Sequence, residues 1–165
     1  MKTIRAIDLS LERFIRYGRF ANMLSPGSTK IGDIPSEFFR DVLSMKLGSA
    51  TVASLSTCRV SPRPPVIDVL EYHNHCGEAM IPLDGDVLVQ VAPATPDSKI
   101  PYDDIEVFIV PKGTIVVFEY GVWHHAPFAC EKTSVSILSI LPERTYANDA
   151  VVISIPEEKR IAIEI

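Results

Sequence analysis

The chain has 165 residues, of which 47% are hydrophobic and 22% are charged, and its formal net charge is −5. This length and balance suit one globular domain over residues 1–165 with a substantial core. The excess of acidic over basic residues argues against a nucleic-acid partner, because a protein that binds nucleic acid needs a basic face.

The cysteines and the N-terminal residues bear on the cellular compartment. The chain has 3 cysteines, and an odd number without paired spacing does not indicate a disulfide framework. The N-terminal residues contain no apolar signal core, and no apolar run approaches the roughly 18 residues that a membrane span needs. The sequence therefore predicts a cytoplasmic protein with no membrane partner.

Two short helices are predicted near the N-terminus. Ser10 is a candidate N-cap for a helix over residues 11–17. Residues 22–33 are rich in Gly, Pro, Ser and Thr and are expected to form a loop. A second short helix is expected over residues 36–43, directly after Pro35.

The rest of the chain is dominated by short β-branched runs bounded by Gly, Pro and Asp, a pattern typical of strands. The predicted strands cover residues 51–60, 66–73, 78–82, 87–92, 105–110, 114–118, 134–141, 150–155 and 160–165. Many short strands with few helices indicate a β-sandwich or a β-barrel, and composition alone does not choose between them.

A cluster of metal-ligand residue types lies in two of these segments. Residues two apart on a strand share a face, so His73 and His75 are expected to project to the same side, with Glu78 brought alongside by a turn. His124 is a fourth candidate, and because neighbours alternate, only one of His124 and His125 is expected to face inward. Two imidazoles with a carboxylate suit a divalent metal such as Mn, Fe, Co, Ni or Zn.

A purely structural role for these histidines stays open, because strand histidines often serve only as hydrogen-bonded structural residues. All 4 histidines of the chain fall in two close pairs, however, which favours a metal or ligand site. Cys76, beside the first pair, is either a soft metal ligand or a small buried residue, and we favour the buried residue.

Two segments resemble the sequence motifs of the cupin superfamily. They are residues 73–85, with His73, His75, Glu78 and Gly85, and residues 113–124, with Gly113, Glu119, Gly121 and His124. The resemblance implies an all-β fold, the double-stranded β-helix or jelly-roll barrel of cupins, here with one or two short N-terminal helices. It also implies a metal held inside the barrel by His73, His75, Glu78 and His124.

Within the cupins, the chain resembles the ureidoglycolate lyase family along most of its length. The matching segments are residues 70–73, 79–85, 87–93, 108–110 and 121–127, and the string Gly-Val-Trp-His-His followed closely by Pro is the most specific of them. Arg59, His73, Trp123, His124 and His125 fall where the family has the same residue types. The resemblance implies a carbon–nitrogen lyase that cleaves ureidoglycolate into glyoxylate and urea.

This reaction needs removal of a hydroxyl proton and protonation of the leaving nitrogen, and a histidine of near-neutral pKa can serve either step. His125 or Glu119 is the candidate acid/base group. Arg59 is the candidate clamp on the substrate carboxylate, and Trp123 is a candidate substrate-site residue. The alternatives are a surface charge for Arg59, a core residue for Trp123, and a turn cap or a partner of Lys112 for Glu119.

Two functions follow from these observations. The first is a metal-assisted lyase, or a related isomerase or hydrolase, that acts on a small hydroxylated carboxylate or sugar acid. The second is a non-catalytic sensory cupin that only binds such a ligand. A homodimer is expected, with the apolar terminal strands at residues 150–155 and 160–165 either forming the interface or completing the barrel.

Overall fold

In a computed structural model, which describes residues 1–165, the chain consists mainly of β-strands. The strands are, in chain order, β1 (Lys2–Arg5), β2 (Ile7–Asp8), β3 (Gly18–Asn22), β4 (Lys30–Ile31), β5 (Phe38–Phe39), β6 (Ala53–Val60), β7 (Val66–Ile67), β8 (Val69–Tyr72), β9 (Glu78–Pro82), β10 (Val87–Val91), β11 (Glu106–Val110), β12 (Thr114–Phe118), β13 (Phe128–Ala129), β14 (Val135–Pro142), β15 (Val151–Ser154) and β16 (Ile161–Glu164). The helical elements are α1 (Leu11–Phe14), α2 (Thr145–Asn148) and a 3-10 turn (Glu157–Lys159). The predicted all-β class is confirmed. None of the helical elements has the length and hydrophobicity of a membrane-spanning helix.

Two larger sheets face each other across an apolar core. One sheet has the strand order β3-β12-β9-β14-β6, and the other has the order β13-β10-β11-β2. The first core lies between them and contains Phe14, Tyr17, Val60, Met80, Val87, Val89, Val91, Phe108, Val110, Val116, Phe118, Val122, Val135 and Ile137. This pair of facing sheets is the architecture expected for a double-stranded β-helix.

A second core covers the other side of the four-stranded sheet. It contains Ala6, Ile67, Leu70, Tyr72, Leu88, Ala92, Ile100, Ile105, Val107, Trp123, Phe128, Ile155, Ile161 and Ile163. Both cores draw on β10, because Val87 and Val89 face the first core while Leu88, between them, faces the second. Strand β10 is therefore buried on both of its faces.

The terminal strands belong to the second core. Ile161 and Ile163 of β16 are buried in it, and Val151 and Ile153 of β15 pack against it. Of the two roles expected for these strands, the structure supports completion of the fold, because Ile161 and Ile163 are buried and Val151 and Ile153 are half-buried against the second core.

The predicted strands agree closely with the observed ones. Residues 78–82 and 114–118 match β9 and β12 at both ends, and the other seven predicted runs also contain strands. The main difference is in residues 66–73, which divide into β7 and β8, with β8 ending at Tyr72. The strands missed are β1 to β5 and β13, and most of them are short.

The first predicted helix is present but shorter than residues 11–17. Ser10 caps α1 as predicted, because its hydroxyl accepts a hydrogen bond from the backbone N–H of Arg13 at 3.4 Å. Phe14, which is fully buried, anchors this single turn in the first core. A helix this short depends on such packing rather than on its own propensity.

The second predicted helix, over residues 36–43, is wrong. Strand β5 lies within this segment and pairs antiparallel with β4, so that Phe38 stands opposite Ile31. The residues of this segment are exposed or half-buried, so no apolar face packs on the core to stabilise a short helix.

Candidate functional site

A cluster of two histidines and a glutamate is buried beside the first core. His73, Glu78 and His124 are each at most 3% exposed. The Oε2 atom of Glu78 lies 2.9 Å from Nε2 of His124 and 3.2 Å from Nε2 of His73. The structure thus brings together three of the four residues predicted as metal ligands.

Neighbouring strands place these side chains. Glu78 is the first residue of β9 and stands opposite Phe118 of β12. His124 forms an isolated antiparallel bridge with Glu71 of β8, and His73 follows the last residue of β8. The ring of Phe118 stacks on that of His124, with the centroids 4.5 Å apart.

The Nδ1 atom of each imidazole is fixed by a backbone carbonyl. His73 Nδ1 lies 2.8 Å from the carbonyl oxygen of Asp149, and His124 Nδ1 lies 2.8 Å from that of Val122. Because a carbonyl oxygen only accepts, both Nδ1 atoms carry the hydrogen and donate. Each Nε2 atom is therefore directed at Glu78, where it either carries a second proton and donates it to the carboxylate or, in the neutral ring, offers its lone pair to a metal ion.

The carboxylate of Glu78 is held as firmly as the two rings. Its Oε1 atom accepts a hydrogen bond from the hydroxyl of Ser139 at 2.6 Å. Burial raises the pKa of Glu78, but hydrogen bonds with His124, His73 and Ser139 outweigh it and lower the pKa to about 2. Glu78 is therefore ionised at neutral pH.

The charge of Glu78 acts in turn on His73. Burial lowers the pKa of His73, but its hydrogen bonds with Glu78 and with the Asp149 carbonyl outweigh burial, so the net shift is upward. The negative charge of Glu78 thus favours a positive charge at this point of the cluster.

The residues present fit a divalent metal ion. Two Nε2 atoms fixed by Nδ1–H to carbonyl bonds, together with a hydrogen-bonded carboxylate, are the arrangement that metal-binding histidine sites use. Ligands at about 2.1 Å from an ion and at right angles lie about 3 Å apart, which matches the Glu78–histidine distances. In addition, Glu71, His73 and His124 offer ligand atoms that all lie within 4.8 Å of one another.

A small cavity of about 50 Å³ opens beside Glu78. It is lined by Cys58, Glu71, Glu78, Met80, Ala126, Pro127, Ile137, Ser139 and Tyr146. Strands β6, β9 and β14 supply most of the wall through side chains on the inner face of their sheet. Tyr146, on the one-turn helix α2, is also part of the lining. The cavity combines two carboxylates with a largely apolar lining.

His75 lies outside this cavity, contrary to the expectation that it shares a face with His73. Its side chain is 81% exposed, and its Nδ1 atom lies 2.9 Å from Oδ1 of Asp149. Strand β8 ends at Tyr72, so the two-residue alternation does not extend to His75. Glu71, two residues before His73, lines the cavity instead.

Arg59 and Trp123, the predicted substrate-binding residues, also lie away from the cavity. Arg59 is exposed and follows Cys58 on β6, so it points to the opposite face of the sheet. Trp123 is fully buried in the second core, with its ring 4.5 Å from that of Tyr72 and its indole N–H donating to Thr95. A hollow of about 190 Å³ beside Trp123 is lined by no histidine, cysteine or carboxylate.

Neither predicted acid/base residue lines the cavity. Glu119 forms an ion pair of 2.7 Å with Lys46 at the surface, rather than with Lys112. His125 is half-buried, and burial lowers its pKa although the charge of Glu71 opposes the shift. As predicted, only one histidine of the pair joins the cluster, and it is His124.

Three residues of the site, Glu71, Ser139 and Tyr146, were not predicted from the sequence. Ser139 could have been predicted from the sequence, because it is a polar residue on the inner, apolar face of β14, which also carries Ile137. Glu71 had the same two-residue spacing from His73 that directed attention to His75. Tyr146 could not have been predicted from the sequence, since its position depends on where α2 packs.

The family model for ureidoglycolate lyase matches residues 1–162. The chain belongs to the ureidoglycolate lyase family. It is 27% identical over 158 residues to ureidoglycolate lyase from Escherichia coli K12 and to that from Shigella boydii serotype 18, covering 94% of this chain and 96% of each relative. The resemblance to the ureidoglycolate lyase family is confirmed. Of the two predicted functions, these matches support the lyase and not the sensory cupin.

Solved structures overlap with the chain more loosely. Oxalate decarboxylase from Bacillus subtilis is 15% identical, with a TM-score of 0.44 over 64% of this chain and 26% of that chain. A dTDP sugar isomerase from Desulfovibrio desulfuricans G20 is 14% identical, with a TM-score of 0.49 over 86% of this chain and 85% of that chain. Structural similarity this low indicates neither the ligand nor the reaction of this protein.

Proposed function

We propose that this member of the ureidoglycolate lyase family cleaves ureidoglycolate into glyoxylate and urea at the cavity beside Glu78. The observation that carries the proposal is the buried His73–Glu78–His124 cluster, whose Glu78 lines a cavity with a second carboxylate, in a chain that matches the family over residues 1–162. A small hydroxylated carboxylate is thus the proposed ligand class.

We assign His73, Glu78 and His124 as the protein ligands of a divalent metal, with Mn, Fe, Co, Ni and Zn all compatible with this donor set. Three protein ligands leave coordination positions free, as catalytic metal sites require. When bound, such an ion polarises the hydroxyl and carboxylate oxygens of the substrate and stabilises developing negative charge. Ser139 keeps the Glu78 carboxylate oriented through its 2.6 Å hydrogen bond.

The remaining carboxylate of the cavity, Glu71, is assigned to proton transfer. The reaction moves one proton from the substrate hydroxyl to the leaving nitrogen while a C=O bond forms and the C–N bond breaks. Glu71 accepts the hydroxyl proton and delivers it to the nitrogen, so that it returns to its starting charge when urea leaves. Its location on β8, directly bridged to His124, places it beside the cluster.

Release of glyoxylate from ureidoglycolate tests this function. The purified protein is expected to produce glyoxylate above the spontaneous rate, and a chelator is expected to reduce the rate. Glu71→Gln is expected to lower the rate by about 100-fold or more, because general acid–base groups contribute at least that much. Glu119→Gln, which changes an exposed carboxylate away from the cavity, serves as the control. Wild-type protein that releases no glyoxylate would refute the proposal.

The cellular location and the assembly of the protein remain predictions. We infer a cytoplasmic homodimer whose ligand is a small carboxylate rather than a nucleic acid, in keeping with the net charge of −5. Strand β6 is the candidate contact, because it is an edge strand of eight residues and its Leu55 side chain is 69% exposed. Light scattering that gives the mass of one chain at micromolar concentration would contradict the dimer.

A further inference from the structure

We propose that the side chain of Tyr146 is the gate of the cavity beside Glu78 and determines the size of the ligand that the cavity admits. The proposal rests on the proposed function only in taking this cavity as the ligand site. It assigns a specificity role to a residue of α2 that the proposed reaction does not use.

The cavity is too small for its ligand when Tyr146 occupies the observed position. Its volume is about 50 Å³. An apolar cavity of about 150 Å³ holds a benzene molecule. Ureidoglycolate is larger than benzene, so the cavity must widen for such a ligand to lie wholly within it.

The wall formed by the sheet is poorly suited to move. Cys58, Met80 and Ser139 belong to strands that are hydrogen-bonded to one another in the five-stranded sheet, and Met80 is also part of the first core. Displacing any of them would break the strand pairing or the packing of the core. Tyr146, by contrast, is 61% exposed, so little protein contacts its outer side.

The backbone of α2 is tied down, so the moving part is the tyrosine side chain. Thr145 is buried, and its hydroxyl donates to the carbonyl of Pro142 at 2.7 Å. The N–H of Asp149 donates to the carbonyl of Thr145 at 2.7 Å, and the carbonyl of Asp149 accepts from Nδ1 of His73. A shift of the helix would break the hydrogen bond that fixes Nδ1 of His73. Rotation of the Tyr146 side chain to another staggered rotamer keeps that bond and gives up only an edge-to-face contact with the His73 ring, whose centroid lies 6.4 Å away.

The gate is neutral and therefore compatible with an anionic ligand. Burial of the phenol raises the pKa of Tyr146 to about 12, and the charges of Glu78 and Glu71 act in the same direction. The phenol stays protonated at neutral pH, so it does not add a third negative charge at the entrance to a cavity that already holds two carboxylates.

Cys58 provides a test that needs no substrate, because its thiol lines the same cavity. The wild-type chain, Tyr146→Ala and Tyr146→Phe are treated with methyl methanethiosulfonate or with the bulkier benzyl methanethiosulfonate, and labelling of each cysteine is followed by peptide mass spectrometry. Tyr146→Ala is expected to increase labelling of Cys58 by the benzyl reagent severalfold and to change labelling by the methyl reagent much less. Tyr146→Phe keeps the ring and is expected to behave as the wild type.

The other two thiols report on unfolding. Cys76 is buried and Cys130 packs against the second core, so both should keep their wild-type labelling rates in a folded variant. If Tyr146→Ala exposes them, Tyr146→Leu, which retains more side-chain volume, replaces it. Equal labelling of Cys58 by the benzyl reagent in wild type and folded variant, or an equal rise in Tyr146→Phe, would overturn the gate. A failure to cleave ureidoglycolate would refute the proposed reaction and leave this labelling result unaffected.

Discussion

Two histidine–carboxylate pairs, which begin two residues apart in the sequence, serve different purposes in this protein. His73 and Glu78 are 3.2 Å apart with side chains 2% and 3% exposed, whereas His75 and Asp149 are 2.9 Å apart with side chains 81% and 11% exposed. The distances are similar, and burial makes the difference. A pair in the interior must be fully hydrogen-bonded, whereas an exposed histidine keeps its hydration and contributes little.

The outer pair is part of a turn that supports the inner pair. The carboxylate of Asp149 accepts hydrogen bonds from the backbone N–H groups of Asn74 and His75 at 2.9 and 2.8 Å. The carbonyl of the same Asp149 accepts from His73. Asp149 thus holds the turn at Asn74 and His75 through its carboxylate and orients the His73 ring through its carbonyl. The outer pair therefore has a structural role, whereas the inner pair belongs to the candidate site.

The largest effect on stability is expected for Glu78→Ala. Removing one partner of a buried charged cluster leaves the other groups uncompensated, which lowers the free energy of unfolding by about 3–5 kcal/mol. Urea unfolding measures the change, and Glu119→Ala, at an exposed ion pair, should cost less than about 1 kcal/mol. Similar losses in the free energy of unfolding for Glu78→Ala and Glu119→Ala would show that the buried carboxylate contributes no more to stability than an exposed one.

A smaller effect is expected for Ser139→Ala. This change removes the hydroxyl that orients the Glu78 carboxylate, and loss of such a supporting hydrogen bond typically reduces metal affinity or activity by about 10–100-fold. Metal titration and the glyoxylate assay both report it. Ser136→Ala, on the opposite face of β14, is the matched control, and equal behaviour of the two variants would contradict the assignment.

Asp149→Ala tests the outer half of the comparison. The two backbone N–H groups lose their acceptor to water, so a loss of about 1–2 kcal/mol in the free energy of unfolding is expected. A weaker hydrogen bond at His73 Nδ1 should also reduce activity. Unchanged unfolding together with unchanged activity would show that the turn does not support the site.

Arg59→Ala is expected to have the smallest effect. Arg59 is exposed on the outer face of β6, and surface substitutions of this kind usually change stability by less than about 0.5 kcal/mol. The KM for ureidoglycolate should be unchanged as well. A marked rise in KM would return Arg59 to the substrate-binding role expected from the sequence.

The sequence predicted the strands better than the places where they end. Strands β9 and β12 were predicted to the residue because turn-forming residues bound them, Gly77 before β9, Asp84 and Gly85 after it, and Gly113 before β12. The end of β8 at Tyr72 depends on the turn that Asp149 closes from far along the chain, so the inward direction of Glu71 and the outward direction of His75 could not be read locally.

The part of the candidate site that was predicted from the sequence consists of residue types that are uncommon in apolar strands. His73, Glu78 and His124 carry chemistry that apolar strands rarely tolerate without a partner. Trp123 and Arg59 matched residue types of the family, but the pleat directs Trp123 to the second core and Arg59 to solvent. Tyr146 lines the cavity from helix α2, whose position no local sequence pattern indicates.

The rates of ureidoglycolate cleavage by His73→Ala and His75→Ala, measured side by side, test the central claim most directly. We predict that His73→Ala loses more than about 100-fold in activity, because even groups that only support metal ligands account for 10–100-fold. We predict that His75→Ala stays within about twofold of the wild type, as expected for an exposed side chain outside the cavity. Equal losses in the two variants, or a loss confined to His75→Ala, would contradict the account.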